Sequence, residues 1–152
     1  MQLYTVVKFF HILFAIIAVG FTSSFGLLLA RSAKGGPDGR EIKYALGTVR
    51  VMSLIAHVCY FLLLVTGIGL VQMAGFPWSY TWITVSLVLF AIAFAVGLGV
   101  MGPSVNRRLA ILEARGTADP EFVALSKRSA MIGAVLGIVT LVILWLMVAK
   151  PA

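Results

Sequence analysis

The chain has 152 residues, of which 61% are hydrophobic and only 11% charged, a balance outside that of soluble domains. So short a chain cannot build a core large enough to hide that much apolar surface from water, and its single cysteine rules out an internal disulfide. The net charge of +7 lies in loops beside apolar stretches, which directs it toward anionic lipid and away from nucleic acid.

The first apolar stretch runs from about Leu3 to Ala30. It exceeds the roughly 20 residues needed to cross about 30 Å of hydrocarbon. It is too long for a signal-peptide core and has no convincing small-residue cleavage pattern, so it is expected to persist as a first span. Within it Lys8 and His11 stand one turn apart, and Ala15, Ala18 and Thr22 continue the same face. Small side chains there open a slot beneath the imidazole.

A turn-rich break, Ser32 to Gly39, follows, with Gly35-Gly36-Pro37-Asp38 ending any helix. Glu41 to Arg50 is helix-compatible and extends the second span, Val51 to Val71, beyond the membrane. That span carries Ser53, His57, Cys59, Thr66, Gly67 and Gly69. Cys59 lacks the spacing partners of a metal site and reads as a small buried hydrophobe. The connection from Gln72 to Thr81 has no charge, and Gly75-Phe76-Pro77 makes a tight turn. Trp78, Tyr80 and Trp82 suit an interfacial aromatic belt, with Tyr4 and Trp145 at similar depth.

The third span runs from Trp82 to Met101 and contains Gly97 and Gly99. Gly102-Pro103 marks its end, where a kink is expected. Val105 to Ala114 reads as helix again, with Leu109, Leu112 and Val105 on one face and Arg107 pointing away. Arg108 and Arg115 flank that face and are expected to reach water or headgroups. Gly116 ends this piece. Asp119-Pro120-Glu121 then carries a helix start: a capping acid, proline at the first helical position and an acid in the first turn. The fourth span covers Ala130 to Val148, with Gly133 and Gly137 in GxxxG spacing.

Charge sets the expected topology. All five acids and ten of the twelve bases lie in the first and third loops. The positive-inside rule places those loops in the cytoplasm, and both termini and the uncharged turn outside it. The expected fold is a single all-α domain of four antiparallel transmembrane helices in an up-down bundle. Gly67, Gly97, Gly133 and Gly137 are its candidate packing positions, either within the bundle or toward another membrane subunit.

Candidate chemistry is sparse. An imidazole in hydrocarbon usually faces the bundle interior and has a purpose. His11, with Lys8 beside it, and His57 are therefore the candidate cofactor positions, set against structural hydrogen bonds as the plainer alternative. A helical rise of about 1.5 Å per residue puts His57 roughly 10 Å deeper than His11 from the outer side. That is too far for both to ligate one iron. No carboxylate lies within a span, so a carboxylate proton relay is not expected. Ligands for a zinc site are missing too.

The run Val7-Lys8-Phe9-Phe10-His11-Ile12-Leu13 with Gly20 resembles the first span of a bacterial integral membrane family, domain of unknown function 2269. Thr66-Gly67-Ile68-Gly69-Leu70 with Gly75-Phe76-Pro77 is similar to its middle. Trp145-Leu146-Met147-Val148-Ala149-Lys150-Pro151 is similar to its ending. The resemblance covers nearly the whole chain and implies a fold and a membrane location, not an activity. Lys8-x-x-His11 also resembles copper-resistance protein D-like proteins and HemJ-type protoporphyrinogen oxidases. That likeness implies haem at a first-span histidine, here His11, although other polar positions of the HemJ type are absent.

Two readings follow. One is a non-catalytic accessory or scaffold subunit of the bacterial inner membrane, partnered by a membrane protein or a second copy. The other is a small redox protein binding haem b or a quinone at His11. A transporter would need an oligomer, and no inverted repeat is evident.

Overall fold

A computed structural model describes residues 2–34 and 39–151. The break Gly35 to Asp38 lies outside them. Among the described residues every regular element is helical: α1 (Gln2–Ser32), α2 (Arg40–Met73), α3 (Thr81–Val96), a π-helical turn (Gly97–Met101), α4 (Gly102–Arg115) and α5 (Pro120–Ala149). Four helices result that are long and apolar enough to cross a membrane, because α3, the π turn and α4 join into one rod from Thr81 to Arg115.

The π turn answers the proline. Pro103 has no N–H to give, and its ring would crowd the carbonyl of Gly99 in an α-helix. The chain widens by one residue just before it, so that the Gly102 N–H reaches the Gly97 carbonyl. A local π register is one of the few devices that absorbs such a mismatch without ending the helix. The helix runs on through Gly102-Pro103 without ending.

Capping follows the sequence closely. The Asp119 carboxylate accepts from the backbone N–H groups of Glu121 and Phe122 at 2.9 and 3.3 Å, with Pro120 in the first turn of α5. Gly75 and Gly116 adopt positive φ of 69° and 82°, conformations that a side chain would strain. They end α2 and α4.

Residue numbers fall along one helix as they rise along its neighbour. On α1 and α2, His11 meets Thr66, Thr22 meets Tyr60, and Phe25, Leu28 and Leu29 pack on the cluster of Ile42, Leu46 and Val49. On α2 and α3, His57 meets Phe94, and Tyr60 meets Phe90. From α3 through α4 against α5, Trp82 and Ile83 pack on Leu146, Met101 approaches Gly133, and Ser104 bonds Ser129.

Large side chains are buried mainly at the two ends. One end holds Ile42, Leu46, Val49, Val105, Ile111, Leu112 and Phe122, drawn from α2, α4 and α5 beyond the most apolar stretches. The other holds Trp82, Ile83 and Leu146. Between them the buried residues are small: Ala18, Ala56, Cys59 and Ser86. Such thin contacts suit a bilayer, where lipid tails are as apolar as leucine and helices associate by close approach and polar links. Leu27 and Val148, 74% and 84% exposed, turn outward as lipid-facing residues do. Trp82 departs from the expected belt. It is buried beside Phe76, and Lys150 lies 5.3 Å from the Phe76 ring and 5.7 Å from that of Trp82. Trp78, Tyr80 and Trp145 remain exposed.

Candidate intramembrane site

His11 faces α2. Its Nδ1 lies 2.9 Å from the Thr66 hydroxyl, and that hydroxyl lies 2.7 Å from the Leu62 carbonyl one turn back. A carbonyl only accepts, so the Thr66 proton goes to Leu62, and the Thr66 oxygen accepts from the imidazole Nδ1–H. The ring rests on Gly67: a Cβ built there would stand 3.0 Å from His11 Cε1. A glycine is needed at that close approach.

A second link lies further along the same interface. Thr22 donates to the Ala18 carbonyl at 2.9 Å and accepts from the Tyr60 hydroxyl at 3.0 Å. Thr66 and Thr22 thus play the same part, each donating to its own helix and accepting from the other. The small-residue face of α1 that reads as a slot in the sequence is the seam against α2. Ala18 is wholly buried in it. Lys8 is exposed near the N-terminal end of α1.

His57 is separate. Its Nδ1 donates to the Ser53 carbonyl at 2.6 Å, which leaves Nε2 as the bare nitrogen. That atom lies 3.4 Å from where a Gly97 Cβ would stand, at the first residue of the π turn. The Phe94 ring meets the imidazole edge-on at 6.1 Å. The nine residues from His57 to the His11 partner Thr66 rise about 14 Å along α2. The two rings therefore serve different levels of the bundle. A flat macrocycle held by both does not fit, and His11 is closely covered by Gly67. Among the described residues no cluster of three or more His, Cys, Asp or Glu could hold a metal.

The glycines divide. Gly67 and Gly97 seat the two imidazoles, and Gly133 lies 4.0 Å from the Met101 methyl. Gly137 has nothing within 4 Å and is exposed, as is Gly20. The two members of the GxxxG spacing therefore face different surroundings.

At the opposite end from the termini, exposed ion pairs join the loops. Lys43 meets Glu113 at 2.8 Å, and Arg115 meets Asp119 at 3.2 Å and Glu121 at 2.7 Å. The Arg107 Nε donates to Glu121 at 2.9 Å. Each such pair contributes about 0–1 kcal/mol; Lys43 ties α2 to α4, and the Arg107 and Arg115 pairs tie α4 to the start of α5. Arg108 contradicts its sequence assignment. It does not flank the apolar face but belongs to it, 4% exposed among Val105, Ile111 and Leu112. Its spacing of three residues from Val105 and from Ile111 was the available signal. Tyr60 and the seating role of Gly67 were also missed. Neither has a local sequence signature, because each acts through a residue more than 30 positions away.

Four membrane-length helices with polar contacts turned inward and apolar side chains outward define a multi-pass integral membrane protein. The chain belongs to the family described as "Predicted integral membrane protein (DUF2269)", whose family model matches residues 5–151. No curated protein and no solved structure matches it, so the likeness to copper-resistance protein D-like and HemJ-type proteins carries no activity to it.

Proposed function

We propose that the protein performs no chemistry of its own and serves as an accessory or scaffold subunit of a complex in the bacterial inner membrane. The observation that carries this reading is the use of His11. The strongest candidate ligand in the spans bonds Thr66 and is covered by Gly67, the part of a tie between helices. The outward Gly20 and Gly137 support it further, since exposed small residues let a second backbone approach closely. The ten bases of the first and third loops support a cytoplasmic position for that end, beside anionic headgroups, with both termini on the opposite side.

Purification in mild detergent tests the reading. Gly137→Leu should release a co-purifying membrane subunit while leaving thermal stability unchanged. Gly133→Leu, set against Met101, should lower stability itself. If neither variant changes what co-purifies, the docking role is wrong. The redox alternative keeps one observation in its favour, the bare Nε2 of His57 at a π turn, since such turns are frequent at functional sites. A haem plane there would require α2 and α3 to separate by its thickness.

A further inference from the structure

Arg108 is 4% exposed, and its Nε is enclosed with no hydrogen-bond partner. No described carboxylate pairs with it. Glu113 is held by Lys43, Asp119 by Arg115, and Glu121 by Arg107 and Arg115, while Glu41 is exposed. A buried charge without a partner is strongly unfavourable, so buried cations are found paired.

The neighbouring groups are donors as well. Ser104 stands one turn before Arg108 on the same face of α4. Its hydroxyl lies 2.7 Å from that of Ser129, which is itself buried. Two hydroxyls sharing one bond use one proton, and the other remains to be donated elsewhere. A guanidinium fork one turn from a free O–H on the same helix face is a set of donors without a negative acceptor. Its geometry matches two oxygens of one oxyanion.

Depth narrows the source. Arg108 lies seven residues beyond Met101, about 10 Å along the helix. Ser129 immediately precedes the fourth apolar span. The headgroup layer occupies about 5–8 Å on each side of the hydrocarbon, so the Arg108 backbone stands just beyond it, and a helical side chain leans back toward the N-terminus of its helix, which carries the guanidinium toward phosphate level. Lys127 and Arg128 are exposed next to Ser129 and concentrate anions there.

We propose that Arg108, with the Ser104–Ser129 hydroxyl pair, binds a phosphate-type oxyanion between α4 and α5, supplied by an anionic phospholipid headgroup or by free phosphate.

The test uses the purified full chain in a neutral detergent, with thermal unfolding read with and without added phosphatidylglycerol or inorganic phosphate. A saturating ligand should raise the Tm by about 5 °C. A rise with the lipid alone identifies a headgroup, and a rise with inorganic phosphate identifies the free ion. Arg108→Gln should lose the rise and Ser104→Ala should reduce it, while Arg107→Gln, altered at an exposed arginine, should keep it. If Arg108→Gln does not fold, Arg108→Lys retains the charge without the fork and should respond only at higher ligand concentration. Absence of a rise in the wild type, a full rise in Arg108→Gln, or a full rise in Arg108→Lys at the ligand concentration that suffices for the wild type, overturns the proposal. Asp38 lies outside the described residues. A rise seen only in Asp38→Asn would mean that Arg108 is paired internally, and would overturn it equally.

Discussion

At the scale of single residues, the interior of this bundle is organised by a few polar side chains and the glycines that make room for them. Thr66→Val removes the hydroxyl that accepts from the His11 Nδ1–H while preserving shape. Interhelical hydrogen bonds in membranes average about 0.6 kcal/mol and reach about 1.7 kcal/mol. The variant should therefore lose stability in that range, read by equilibrium unfolding in detergent micelles. Gly67→Ala should cost more, because its Cβ would stand 3.0 Å from His11 Cε1 and the ring would have to shift against its bond to Thr66. Gly137→Ala, with open space around it, should change stability little. Equal effects at Gly67 and Gly137 would contradict the seating of His11 on Gly67. The sequence made His11 and His57 conspicuous, since each is an ionisable group in an apolar run. It could not reveal which atom each ring bonds. Thr66 is one of several span hydroxyls, and only the pairing of α1 with α2 selects it.

At the scale of elements, the caps and breaks were legible because their chemistry is local. The capping acid at Asp119, the proline after it and the glycines at 75 and 116 each act within a few residues. Asp119→Ala removes the cap of α5 and should cost about 1 kcal/mol, measured by thermal unfolding. No loss would mean that the Arg115–Glu121 ion pair and the packing of Phe122 hold the turn unaided. The region around Pro103 was only half legible. Proline announces a disturbance, but whether a helix kinks, ends or widens depends on what the following face must touch. Here Val105, Arg108, Ile111 and Leu112 must all reach the core, and a π turn resets the phase without ending the rod. A π turn amounts to one inserted residue. Deleting Leu98, which is half exposed, should convert it to α-helix and keep α4 in phase, at the cost of the proline crowding that the π turn relieves. Deleting the exposed Ala110 should instead rotate Ile111 and Leu112 by about 100° and dissolve the inner cluster. Hydrogen exchange of the α4 amides would distinguish the two. Equal protection in both deletions would count against this account of the turn.

At the scale of the whole molecule, the number of spans was legible because hydrocarbon thickness imposes a length and forbids charge. Their extents were less so, since the helices run past the membrane into water-facing ends where periodicity, not hydropathy, governs. The asymmetry of charge predicts an orientation: Ser79→Cys should be labelled by an impermeant thiol reagent from outside intact cells, and Ser32→Cys only after permeabilisation. The reverse pattern would invert the topology. The central claim is that the ionisable groups within the spans are used to hold helices together and not to carry a redox cofactor. The visible absorption spectrum of the protein purified from its native membrane tests this most directly. The account predicts no Soret band in the wild type and an unchanged spectrum in His11→Ala. A Soret band in the wild type that disappears in His11→Ala would contradict it.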